Sequence, residues 1–96
     1  MTMEEYATKV KENLPSPTTI RQQMVDAMVR DVLSDLQSFG EACLCYGRYD
    51  GNKNLLLATG RRVVKIFKDK GYETIMETYA ESNKNKFFDL KIKVPV

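Results

Sequence analysis

The stretch "SPTTIRQQMVDAMVRDVLSDLQSFG", residues 16–40, constrains the fold of this chain more than any other. Ser16 stands where an N-cap belongs, Pro17 where a first helical residue belongs, and Gly40 where a left-handed stop belongs. No glycine or proline intervenes, so one long helix is predicted from Pro17 to about Phe39. On a wheel, Ile20, Met24, Val25, Ala27, Met28, Val29, Val32, Leu33, Leu36 and Phe39 cover well over half the circumference, leaving a polar strip of Gln23, Asp26, Arg30, Ser34 and Gln37. A helix lying on one sheet needs an apolar stripe only a little over about 100° wide, so this arc asks for a second apolar surface. The sources open to it are a preceding helix or the same helix of another copy. Met24, Met28, Val29, Leu33 and Leu36 are the residues this reading assigns to a self-association interface.

Upstream, Met3, Tyr6, Ala7 and Val10 recur at helical spacing among charged residues, which predicts a short amphipathic helix from Thr2 to Asn13. "LPSP", residues 14–17, stops it, because the residue before a proline is pushed out of the helical region. Downstream of Gly40, Ala42, Leu44 and Tyr46 alternate with Cys43 and Cys45, as in a strand, and Asp50-Gly51-Asn52 reads as a turn. Asn52 or Asn54 then caps a third helix over residues 55–71. Its apolar side holds Leu56, Gly60, Val63, Val64, Ile66 and Phe67, and Arg61, Lys65 and Lys68 gather opposite with Arg62 flanking. Gly60 costs such a helix about 1 kcal/mol relative to alanine, which points to close backbone packing at that position.

Tyr72–Ala80 and Phe87–Val94 read as two further strands joined by "ESNKNK", residues 81–86. In the last strand Phe88, Leu90, Ile92 and Val94 point one way and Asp89, Lys91 and Lys93 the other, giving one dry and one wet face. Glu73 and Glu77 are placed to lie across from the lysines, and Ile75, Tyr79 and Phe87 to add apolar groups to the wet face. Pro95 suits an edge or a strand end. The order helix, helix, strand, helix, strand, strand predicts one α+β domain over residues 1–96. Its small antiparallel or mixed three-stranded sheet is covered on one face by helices two and three, and residues 1–13 are peripheral.

The 96 residues suffice for one small core, and 43% apolar with 29% charged residues is the composition of a folding chain. No apolar run reaches the roughly 20 residues of a membrane helix, and the charged start is unlike a secretory signal, so an intracellular, cytoplasmic protein is expected. A net charge of +2 is too small to imply nucleic-acid binding by itself. Without histidine the chain lacks the usual general base near neutral pH, and its two cysteines cannot complete a four-ligand zinc site within one copy. A disulfide between Cys43 and Cys45 would be strained in an extended segment, so two reduced thiols are expected. Two copies bringing four thiols together stays open. "ATGRRVVK", residues 58–65, lacks the spacing of a phosphate loop. No enzyme activity, metal or cofactor is therefore expected.

Two clusters remain. Asp31 and Asp35 lie one helical turn apart, fit to share an edge with an arginine or lysine of a neighbouring element or to form part of a divalent-ion site. Arg48, Tyr49, Lys53, Arg61, Arg62 and Lys65 combine phosphate-clamping cations with an aromatic able to stack on a base, the chemistry of an anionic-ligand site. A solvated helix face is the plainer reading of the same residues.

The run "FKDKGYETIMETYAESNKNKFFDLKIKVPV", residues 67–96, is a helix ending in Gly71-Tyr72 followed by a hairpin with an alternating last strand. It resembles the C-terminal half of many small α+β proteins of tailed bacteriophages, and with the helix–Gly40–strand unit the resemblance extends from about Thr19 onward. It implies a small accessory protein acting stoichiometrically in the host cytoplasm, by occupying a host protein or sequestering an anionic signal such as a nucleotide. A self-associating structural or assembly protein, such as a minor virion component, is the alternative. Nucleic-acid binding through the basic side of helix three is the third reading. A homo-oligomer is expected, and a membrane partner is not.

Overall fold

In a computed structural model, which describes residues 2–80 and 86–96, the elements follow the expected order. α1 spans Met3–Asn13, α2 Pro17–Phe39, β1 Glu41–Cys45, a short 3-10 turn Tyr46–Arg48, α3 Lys53–Asp69, β2 Glu73–Ala80 and β3 Lys86–Lys93. The sheet is wholly antiparallel with order β1-β3-β2, so the last strand lies in the centre, and the α3 connection leaves between β1 and β2 the gap that β3 fills. Most of the expected connection at residues 81–86 lies outside the described residues.

Local chemistry sets the boundaries. Ser16 Oγ accepts from the Thr19 N–H at 3.2 Å to start α2, and the Gly40 N–H, at φ 74°, donates to the Leu36 carbonyl at 2.8 Å to stop it. Asn52 Oδ1 caps α3 by accepting from the Leu55 N–H at 3.2 Å. At the far end Tyr72 N–H reaches the Phe67 carbonyl at 3.1 Å and Gly71 N–H the Lys68 carbonyl at 3.0 Å. This is a Schellman closure, with Gly71 at φ 94° and the Phe67 and Tyr72 rings packed edge to face, centroids 5.3 Å apart. Past β3, Val94 N–H donates to the Gly40 carbonyl at 3.0 Å, and Pro95 follows at the end of the central strand.

One hydrophobic core lies between the sheet and the α2–α3 layer. It joins Val25, Met28, Val32 and Leu36 of α2, Ala42 and Leu44 of β1, Leu56, Leu57, Val63 and Phe67 of α3, and Phe88, Leu90 and Ile92 of β3. Gly60 is where α3 approaches the sheet: a Cβ there would meet Met76 Cε at 3.3 Å, Phe88 Cε2 at 3.4 Å and Leu90 Cδ2 at 3.5 Å. The structure corrects α3 in two places. Ile66 is 41% exposed, and Leu57 and Thr59 are buried instead, with Thr59 Oγ1 donating back to the Leu55 carbonyl at 2.7 Å.

The breadth of the α2 arc has a different cause from either source expected. Only Val25, Met28, Val32 and Leu36 are buried, with Met24 and Val29 packed at the margin, while Ile20 and Leu33 are exposed. The second surface is α3 together with Tyr49, both in contact with the same core as the sheet. Met28 and Leu36 are therefore core residues and unavailable to a partner, which corrects their assignment to an interface; Leu33 keeps an outward face. α1 has no buried residue at all.

Candidate functional site

The expected ligand cluster is largely occupied in holding the fold. The 3-10 turn after β1 brings Arg48 and Tyr49 against the edge of α2. Arg48 Nη1 donates to Asp35 Oδ2 at 3.3 Å and Tyr49 Oη to Asp31 Oδ2 at 2.9 Å. Burial, reinforced by the hydrogen bond to Asp31 and the negative charge of that carboxylate, pushes the Tyr49 hydroxyl well above the usual phenol range. Lys53 Nζ donates to the Tyr49 carbonyl at 3.2 Å, which pins the loop between β1 and α3. Asp31 and Asp35 thus share an edge with an arginine, as expected, and with a tyrosine as well. No group of three or more metal-ligating side chains occurs among the described residues.

Arg62, on the other flank of α2, donates through Nη2 to Gln22 Oε1 at 2.9 Å. Arg61 and Lys65 are exposed on α3. The six cations and aromatics therefore divide in function. Arg48, Tyr49 and Lys53 latch the 3-10 turn, Arg62 clips α3 to α2, and Arg61 and Lys65 face outward.

A concavity lies elsewhere, on the sheet face that carries no helix. It has a volume of about 440 Å³ and is lined by Cys43, Cys45, Ile75, Glu77, Asp89 and Lys91, with the Leu44 and Leu90 backbone strands as its floor. Register places three rows across this face: Glu41, Lys93 and Glu73; Cys43, Lys91 and Ile75; Cys45, Asp89 and Glu77. Glu73 does lie across from a lysine, Lys93, but Glu77 lies across from Asp89, which corrects that pairing and concentrates carboxylate at one end. Ile75 is 56% exposed beside the half-buried stem of Lys91, and both thiols are free and exposed. Tyr79 and Phe87 pair in backbone register on the same two strands.

The second unclaimed surface is α1. Thr2 and Glu5 form a reciprocal capping box, Thr2 Oγ1 accepting from the Glu5 N–H at 3.1 Å. Beyond that cap, Met3 at 86%, Tyr6 at 61%, Val10 and Leu14 present one continuous exposed apolar stripe. A shallow groove along it is lined by Tyr6, Lys9, Val10, Asn13 and Leu14, all from α1 and the residue after it. Sequence periodicity finds the stripe, and with no α1 residue buried the rest of the chain leaves it uncovered. The concavity was legible only as strand parity, since the alternation that buries Ala42 and Leu44 sends Cys43 and Cys45 outward. Among the described residues no helix is long and apolar enough to cross a membrane. No protein-family model, curated protein or solved structure matches the chain.

Proposed function

We propose that this chain is a non-enzymatic binding protein that works by protein–protein contact, and that its first contact is with copies of itself through α1. The observation that carries this is the state of α1, an amphipathic helix none of whose residues is buried. An isolated helix shorter than about 12–15 residues is marginal in water even with good caps, so its order is completed by a surface that covers the stripe. The anion-sequestering reading loses support because Arg48, Lys53 and Arg62 are engaged within the fold. The resemblance of the C-terminal half to tailed-phage accessory proteins gives such an assembling module a setting in a host cytoplasm.

Sedimentation velocity over a wide concentration range tests the proposal. Wild type is expected to assemble as concentration rises, and the Tyr6→Glu/Val10→Glu double variant to stay monomeric at the same concentrations. Equal sedimentation of the two proteins throughout refutes it.

A further inference from the structure

Resting on that reading, we infer that the surface receiving α1 is the open, concave sheet face of a second copy, so that two copies exchange their N-terminal helices. Four observations converge on this. The first is size. β1 and β2 flank β3 at about 4.8 Å spacing, which makes the face about 10 Å wide, the diameter of one helix with its side chains. The 11 residues of α1 run about 16 Å, close to the roughly 17 Å of the five-residue β1. A single helix of this length covers the three described rows.

The second is layer logic. A sheet with one dry face and one face bearing Ile75, two thiols and the stem of Lys91 has room for a further layer, and among the described residues α1 is the helix left unpacked by the fold. The third is charge. The face carries Glu41, Glu73, Glu77 and Asp89 against Lys91 and Lys93, an excess of carboxylate. The stripe of α1 is flanked by Lys9 on one side and Lys11 on the other, with Glu5 and Glu12 behind it and Glu4 beside Lys11 toward the start. Setting Lys9 and Lys11 at the Glu77 end of the face and Glu4 toward Lys93 orients the incoming helix antiparallel to β3.

The fourth is reach, which excludes the chain's own α1. The buried residues of α2 begin at Val25, so its first two turns overhang the core by about 12 Å. The connector Leu14–Ser16 spans at most about 10 Å, and it leaves α2 on the helix-covered side of the sheet. The opposite face of the same copy lies beyond that reach, whereas a copy related by a two-fold axis offers its face and receives the other α1 in return.

Cys43 and Cys45 are the only cysteines and lie on the receiving face, so the unmodified protein carries its own reporters. The experiment measures iodoacetamide alkylation rates by mass spectrometry across the assembly concentration. It is paired with amine-to-thiol crosslinking in an equal mixture of isotope-labelled and unlabelled protein. The expected result is a slowing of at least about fivefold on assembly, crosslinks from Lys9 or Lys11 to Cys45 between labelled and unlabelled copies, and loss of assembly in Ile75→Glu. That variant sits on an exposed side chain, and its urea midpoint and circular dichroism report that it is folded. Assembly that needs Tyr6 and Val10 yet leaves the thiols equally reactive and survives Ile75→Glu overturns the inference and spares the reading of α1. Crosslinks confined within single copies overturn it by placing the chain's own helix on the face. Absence of assembly at every concentration overturns both.

Discussion

Replacing Gly60 measures how closely α3 rides on the sheet. A glycine in a helix interior costs roughly 0.8–1 kcal/mol relative to alanine, so Gly60→Ala starts from a gain of that size. The added Cβ meets Met76 Cε at 3.3 Å, tighter than ordinary contact, and Phe88 Cε2 and Leu90 Cδ2 at 3.4 and 3.5 Å, which is ordinary contact. Met76 lies on the edge strand β2, is half-buried, and ends in a flexible thioether, so a shift of a few tenths of an ångström relieves the one tight approach. The methyl therefore fills space more than it clashes, and a net stabilisation of about 0.5–1 kcal/mol is expected, or roughly 2–8 °C in Tm for a domain of this size. Gly60→Leu places three further carbons against Phe88 and Leu90, both fully buried, and levers the helix off the strand at a cost of about 1–3 kcal/mol. Urea titrations followed by circular dichroism read both variants at once, with m unchanged. A neutral Gly60→Leu refutes the packing of α3 on β3, and an alanine variant destabilised by more than about 1 kcal/mol refutes the argument that Met76 yields.

The remaining expectations concern the latch, the arm and the cations. Tyr49 titrates higher in the fold than in the unfolded chain, so its stabilisation is complete below about pH 10 and is lost as pH rises beyond it toward the folded value. Tyr49→Phe costs about 1 kcal/mol at neutral pH by removing the hydrogen bond to Asp31, and it flattens the alkaline limb of a stability–pH curve; an unchanged limb places the phenol in water. The Arg48–Asp35 pair is partly exposed, with side-chain exposures of 42% and 27%, so a double-mutant cycle is expected to give under about 1 kcal/mol, shrinking with salt. Deleting residues 1–14, measured below the assembly concentration, leaves the unfolding free energy from urea titration within about 0.5 kcal/mol of wild type, because no α1 residue contributes to the core. Calorimetric titration with a nucleoside triphosphate shows no saturable binding. Tight binding abolished by Arg61→Ala/Arg62→Ala restores the sequestering reading.

Legibility in the sequence followed the range of the interactions. Ser16, Pro17, Gly40, Asn52 and Gly71 act within four or five residues of themselves, and each marks its helix end as read. Strand parity is equally local, and Phe88, Leu90 and Ile92 face the core as their alternation requires, whereas Val94 falls past the end of β3 and is exposed. The central place of β3 was not legible, because hydrogen bonds to both neighbours are set by how the α3 crossover spaces β1 and β2. The pairing error at Glu77 follows from register: Glu73 meets Lys93, and four residues on the partner is Asp89. For the candidate ligand site, residue type was read correctly and partnership was not, since Asp31, Asp35 and Gln22 reach Tyr49, Arg48 and Arg62 across sequence separations that no local pattern encodes.

The same contrast decides between α2 and α1 as the assembling element. Once the core has taken Val25, Met28, Val32 and Leu36, what α2 leaves outside is divided. Ile20 lies on one flank of the buried stripe and Leu33 on the other, about 20 Å apart along the axis, with Phe39 exposed at the C-terminal end and Met24 and Val29 packed at the core margin. Such scattered apolar residues are ordinary surface and form no single patch that a partner covers at once. On α1 the corresponding residues recur every three or four positions on one side, with charges behind them and nothing of the core beneath them. An apolar stripe gains free energy from association in proportion to the contiguous area it removes from water, and by that measure α1 outweighs α2 although it is half its length.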